Sequence, residues 1–217
     1  MRYEKLIQKK GCAHSTDSAT AQSIIHAARE LFLQRGYKAV TMREIAAKAG
    51  VNLGLLPYYF STKDNLANQV YALLTDEMYE RMSQQYHLEE LSDAVRMYVY
   101  TVLTLEKADE SFYRFYNEYL EGCHSNEAVS ETFHEMSRKV IEAYHMEVTP
   151  AENEVYLLAM KGAERLLNIR SNHQEINITP RQILNVILSN YLYNIGLSDR
   201  EIARVIEESN DTLNRLE

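Results

Sequence analysis

Glycine and proline are scarce in this chain, 7 and 3 among 217 residues; tryptophan is absent and cysteine occurs twice. With so few helix breakers, and with Leu, Ala, Glu, Ile and Lys abundant, the composition points to an all-α protein with short connections. Cys12 and Cys123 make no disulfide framework and fit a reducing compartment. Hydrophobic runs are cut by charges well short of the ~18–20 residues that span a bilayer. No signal-peptide pattern opens the chain, so the expected location is the cytoplasm, with no membrane partner. The seven histidines show no HExxH or comparable metal spacing, and no glycine-rich phosphate loop occurs. Cys123 and His124 are adjacent but have no further ligands in sequence, and an exposed helix-end pair explains them better than a metal. The expectation is a non-enzyme: no catalytic residues, no metal and no cofactor.

What is present is organised around residues 41–60, TMREIAAKAGVNLGLLPYYF. Thr41 followed three residues later by Glu44 is a capping box, so a helix starts there. Ile45, Ala46 and Ala49 form its apolar stripe, and Gly50 ends it by entering the left-handed conformation without steric cost. Asn52 caps a second helix that sends Leu56 inward and leaves Leu53, Gly54 and Leu55 at its tip. The small Ala46 lets two helices cross closely, with Ile45, Val51, Leu56 and Tyr59 filling the angle. The unit reads as a helix-turn-helix able to enter a DNA major groove; the alternative is an ordinary helical hairpin in an all-helical core.

Charge is distributed unevenly. Residues 1–70 hold 10 Lys and Arg against 5 Asp and Glu, while the remainder holds 13 against 26, within a net charge of −8. This fits a DNA-facing head on an acidic body, with chance clustering of surface charge as the alternative. Residues 1–17, with Arg2, Lys5, Lys9 and Lys10, form either a basic arm that adds phosphate or minor-groove contacts or a plain tail. A helix capped at Asp17 or Ser18 runs to about Arg35, with Ile24, Ala28, Leu31 and Phe32 at helical spacing and Gly36 at its end.

A helix reading IIHAARELFLQRGY, then VTMREIAAKAGVNLGLLPYYF, then STKDNL, resembles the DNA-binding domain of the tetracycline-repressor (TetR) family over residues 18–78. The resemblance implies a three-helix DNA-binding head at 18–78 and a helical effector-binding and dimerisation body at 79–217. It implies that Thr41 and Met42 hold a phosphate at a helix start, and that Arg43 forks onto a guanine edge. Asn52, Leu53, Gly54 and Leu55 then meet the groove, Tyr58 offers a phosphate hydroxyl, Tyr59 packs, and Lys63 contacts phosphate. The alternatives are an Arg43 paired with Glu44 or Asp64 and a Tyr58 mostly buried. Pro57 departs from the family pattern; it lacks an N–H and disfavours helical geometry at Leu56, so a loosened end to the recognition helix is expected.

Beyond the head, helical spacing predicts helices over about 63–82, from about 88 to 107, over 112–120 and over 127–146. Capping boxes at Thr149 with Glu152, Thr179 with Gln182, and Ser198 with Glu201 open three more, for nine or ten in all. The helix after Thr179 is apolar on most of its circumference, and its expected neighbour carries Leu158, Gly162, Ala163, Leu166 and Leu167. The resemblance implies that these two helices pair with their copies in a homodimer, with Leu158, Gly162, Leu166, Ile187 and Tyr191 at the interface. A deeply buried monomer helix is the alternative. Sixteen tyrosines and the cluster Tyr98, Tyr100, Phe112, Tyr113, Phe115, Tyr116 and Tyr119 form either core or an apolar pocket with hydroxyl handles. The resemblance favours a pocket for a small effector, lined by Thr101, Tyr116, Tyr119, Phe133 and His134.

The expected function is therefore a homodimeric repressor, released from a palindromic double-stranded operator by a small molecule. A helical metal-dependent enzyme using His134, His145 or Cys123, and a protein-binding adaptor, are the alternatives. Within DNA binding, so are a ligand-independent regulator and an activator.

Overall fold

The computed structural model describes residues 18–123 and 129–216. Among these residues the regular structure is helical throughout, with no strand. The order is α1 (Ala19–Arg35), α2 (Met42–Ala49), α3 (Leu55–Phe60), α4 (Lys63–Tyr86), a 3-10 turn (Leu88–Glu90), α5 (Asp93–Glu106), α6 (Glu110–Gly122), α7 (Glu131–Ala143), α8 (Pro150–Asn172), α9 (Pro180–Asn194) and α10 (Asp199–Leu216). The expected basic arm at 1–17, Cys12, His124 and the expected helix start at Glu127 lie outside the described residues.

The helices begin where side chains can satisfy their first free N–H groups. Ser18 caps α1, and Thr41, Thr149 and Thr179 each close a full capping box with the residue three positions on. Ser198 and Glu201 make the same reciprocal bonds at the head of α10. Helix ends are less local. The helix expected to reach Met146 stops at Ala143, where His145 takes a left-handed conformation (φ 54°) and the Met146 N–H closes back on the Ile141 carbonyl at 3.0 Å. His87, at φ 52°, lies just beyond α4, which runs four residues past the expected Met82.

The described residues group into two compact units. Residues 18–74 and 108–123 form the first: α1, α2, α3, residues 63–74 of α4, and α6. Residues 75–107 and 129–216 form the second.

In the first unit α1 buries Ala21, Ile24, Ile25, Ala28, Leu31 and Phe32, a stripe at steps of three and four. α6 is fastened to the end of α1 as well as packed on it. Arg114 donates to the Leu33 and Gln34 carbonyls at 2.7 and 2.9 Å, which serves the free C-terminal carbonyls of α1. Glu118 accepts the Lys38 N–H at 2.7 Å, and Glu121 pairs with the Lys38 ammonium at 2.7 Å. The aromatic cluster of α6 is core here. Phe32 stacks on Phe115, Phe115 on Tyr119, Tyr119 on Tyr71, Tyr71 on Tyr116 and Tyr116 on Phe112, with centroids 5.2–5.8 Å apart.

In the second unit α5 is buried almost all round, from Ala94 to Leu105, against α7, α9 and α10. Its buried Arg96 secures the 3-10 turn, donating to the Leu88 and Leu91 carbonyls at 3.0 Å each and pairing with Glu89 at 3.1 Å. Tyr191 of α9 donates to Asn153 of α8 at 2.9 Å, and Asn153 donates to Ser137 of α7 at 2.8 Å. α8 turns Leu157, Met160 and Glu164 inward, with Lys161 on Glu164 at 2.7 Å. Leu158, Gly162, Ala163 and Leu166 are exposed.

The expected dimer face is corrected on α9. Ile187 and Tyr191 are 3% and 1% exposed inside the protomer and cannot meet a partner's surface. Both lie on the stripe that packs against the unit's own helices, and the face α9 leaves outside carries Val186, Asn190 and Tyr193.

Candidate nucleic-acid interface

The turn between α2 and α3 is made by short-range bonds. Gly50 sits at φ 69°, ψ 29°, with its N–H on the Ala47 carbonyl at 3.3 Å and the Val51 N–H on Ala46 at 3.0 Å. Nothing lies near a side chain placed at Gly50, so glycine is needed there for its backbone angles alone. Asn52 then accepts the Gly54 N–H at 2.9 Å, and the Leu55 N–H reaches the Asn52 carbonyl at 3.0 Å. The N-cap of α3 is Gly54, without a side-chain bond, so Asn52 is not the cap that its sequence position predicts; its side chain closes a turn two residues earlier.

The expected loosening at Pro57 does not occur. α3 runs unbroken from Leu55 to Phe60, and the Ser61 N–H bonds to the Pro57 carbonyl at 2.9 Å. Pro57 stands in the first turn after Gly54, where a missing N–H costs least.

Thr41 caps α2, donating its hydroxyl to Glu44 at 2.7 Å while accepting the Glu44 N–H at 3.3 Å. That hydroxyl is engaged in the capping box. Glu44 also takes Arg35 at 2.7 Å. These bonds, Thr41 first and then Arg35, hold the Glu44 carboxyl down to about 2, well below its ordinary value of 4.5. A depressed carboxylate stabilises the fold above its ordinary pKa and loses that contribution as pH falls towards the folded value. Wild type is therefore expected to melt above Glu44→Gln near neutral pH, with the gap closing between about pH 4.5 and pH 2. A gap that is independent of pH would remove Glu44 as the cause.

The other predicted contact residues are distributed as follows. Thr41, Arg43, Asn52, Leu53, Gly54 and Tyr58 are exposed, while Met42, Leu55, Tyr59 and Lys63 are half-buried. Tyr58 and Tyr59 pack edge to face at 5.1 Å. Neither expected partner of Arg43 takes it: Glu44 holds Arg35, and Asp64 accepts the Tyr37 hydroxyl. Among the described residues nothing pairs with the Arg43 guanidinium. Neighbouring cations differ, with Arg35 on Glu44, Lys38 on Glu121 and Lys48 on Glu30. The Tyr37 ring lies 4.2 Å below the Lys63 ammonium, a contact that no local motif in the sequence marks.

The profile described as bacterial regulatory proteins, tetR family, matches residues 24–70, from within α1 into α4. The chain carries a tetR-family head. Among curated relatives, the HTH-type transcriptional regulator QacR of Staphylococcus aureus is 28% identical over 130 residues, 57% of this chain and 65% of that protein. The HTH-type transcriptional repressor Rv3405c of Mycobacterium tuberculosis is 36% identical over 75 residues, 35% of this chain and 38% of that protein. The matches thus span less than two thirds of either relative. The fold resembles that of RolR, solved in complex with resorcinol, with a TM-score of 0.52 at 16% identity over 86% of this chain and 92% of that one. The tetR-type head is followed here, as the sequence predicted, by a larger set of helices.

The five predicted effector residues are divided between the two units. In the first, Tyr116 and Tyr119 belong to the aromatic stack, and the Tyr119 hydroxyl donates to Asn68 at 2.7 Å. In the second, buried Thr101 donates to the Met97 carbonyl at 2.7 Å, and Phe133 lies under Lys161 at 5.3 Å. His134 bridges the Ser130 carbonyl at 3.0 Å and Glu154 at 2.7 Å. None of these five lines either of two clefts in the second unit. One is a groove of about 580 Å³ between α9 and α10, lined by Val186, Tyr193, Ile202 and Ile206 among others. The other, of about 320 Å³, is edged by Tyr79, Glu89, Glu131 and Glu135. Among the described residues there is no group of three potential metal ligands and no helix long and apolar enough to cross a membrane.

Proposed function

We propose that this protein is a sequence-specific DNA-binding transcriptional regulator, a homodimeric repressor released from a palindromic operator by a small molecule. One observation carries the reading. Around an ordered helix-turn-helix, Arg35, Lys38 and Lys48 are each held by a carboxylate, while exposed Arg43 has no partner among the described residues. An exposed guanidinium without a partner, on the helix that precedes the exposed Asn52, Leu53 and Gly54, is free for bidentate readout of guanine. The leucines offer apolar contact to thymine methyls. Two heads would enter successive major grooves about 34 Å apart. The two relatives described above, one named a regulator and the other a repressor, support a regulator and not an enzyme.

Release by an effector is the regulatory mode typical of the family. It requires the small molecule to favour one arrangement over another, and a hundredfold loss of operator affinity takes about 2.7 kcal/mol of coupling. Selection of bound DNA from a random pool tests the whole reading: a two-fold symmetric site is expected. On that site Arg43→Ala is expected to weaken binding about 10- to 100-fold, the 1–3 kcal/mol of one bidentate base contact, and to relax preference at one base pair. A folded protein that ignores every duplex at low ionic strength would falsify the proposal.

A further inference from the structure

Tyr37 is locked in the first unit on three sides. Its hydroxyl donates to Asp64, its ring packs on Phe32 at 5.7 Å, and its edge runs past the bare α-carbon of Gly122. A side-chain carbon at Gly122 would stand 3.0 Å from the ring, so glycine leaves the room that the ring occupies. Tyr37 is only 5% exposed, yet its ring face lies beneath the Lys63 ammonium, 4.2 Å from the centroid.

We infer that Tyr37 is a positioning residue for DNA phosphate, acting through Lys63. The inference rests on the reading of the head as a DNA-binding module and goes one residue deeper into it. A lysine ammonium at the end of four rotatable bonds is a diffuse charge until something holds it. The ring face holds it by cation–π attraction without using any of its N–H donors, which stay available for a phosphate. The same tyrosine occupies the competing group: Asp64, next in the chain to Lys63, accepts the Tyr37 hydroxyl. Among the described residues no carboxylate comes within ion-pair distance of Lys63. Burial pushes the ammonium towards its neutral form, with Asp64, Glu118 and Glu44 acting the other way, and the ring's negative face adds to those three.

The experiment is the salt dependence of binding to a mixed-sequence duplex of about 30 bp, with the full chain. Lys63→Gln is expected to lower the slope of log K against log salt by about 1, one phosphate contact. Tyr37→Phe keeps the ring but takes the hydroxyl away from Asp64, and is expected to lose less affinity than Tyr37→Leu. Tyr37→Leu is expected to lose about fivefold and part of the same slope, and to lose nothing further when Lys63 is already Gln. In the free protein the Lys63 ε-methylene protons are expected upfield of ordinary lysine, from the ring current, a readout that needs no substituted protein. A Tyr37→Leu loss that persists in full on the Lys63→Gln background overturns the inference, as does an ordinary ε-proton shift. If wild type binds duplex but Lys63→Gln leaves the slope unchanged, Tyr37 has no contact to position and the inference falls while DNA binding stands. If wild type shows no salt-dependent duplex binding, the function proposed above fails first and takes this inference with it.

Discussion

Phe32→Ala is expected to destabilise the protein by about 3–5 kcal/mol, a large share of the 5–15 kcal/mol that holds a typical domain folded. Phe32 is fully buried, stacked on Phe115 and tilted against Tyr37, so its removal opens a void where α1 meets α6. The void cannot collapse easily, because Arg114 and Glu118 fix the end of α1 and the loop after it by hydrogen bonds. Phe32→Leu, which keeps most of the volume, is expected to cost less than half as much. Urea unfolding followed by tyrosine fluorescence reads both, since the chain has no tryptophan. A Phe32→Ala midpoint close to wild type would mean that the stacked rings do not form the core of this unit. DNA affinity is expected to fall with the folded fraction, with no change in the sequence preferred by molecules that remain folded.

How much of this was legible depended on how far apart the partners stand in the chain. The capping boxes at Thr41, Thr149, Thr179 and Ser198 need only residues three positions apart, so a reader of sequence finds them. The turn at Gly50 and the Asn52 bond to the Gly54 N–H are local in the same way, which is why the helix-turn-helix was legible within twenty residues. Helix ends were harder: His145 adopts a left-handed conformation that its residue type does not announce. The union of α6 with α1 was not legible at all. Arg114 donates to carbonyls about eighty positions earlier, and nothing near either one marks the pairing. α9 shows a different limit. A helix apolar nearly all round must bury something, but its spacing does not say which arc stays inside. Ile187 and Tyr191 went in, and Val186 and Tyr193 stayed out. Pro57 was misjudged because the proline rule depends on the turn, and this proline falls in the first one.

The outer arc of α8 and α9 carries the second large prediction. Leu158 and Leu166 on α8 are 38% and 54% exposed, and Val186 and Tyr193 on α9 are 54% and 65% exposed. Large apolar side chains collected on two neighbouring helices are costly to leave in water, and pairing with a second copy is the reading that suits a two-fold operator. The double substitution Leu158→Glu, Leu166→Glu places two like charges on that arc and two more on its copy. Sedimentation is expected to shift from dimer to monomer at micromolar concentration, while the melting of the protomer's own core moves little, since both sites lie at the surface. Operator affinity is expected to drop about 10²- to 10⁴-fold, because each head then binds alone and the second loses its high effective concentration. Ile187→Glu is the counter-test. Its side chain is buried among the protomer's own helices, so it is expected to unfold the second unit and not to release a folded monomer. If the double variant still sediments as a dimer, the partner sits on another face. The α9–α10 groove, which shares Val186 and Tyr193 with this arc, would then be the next surface to substitute.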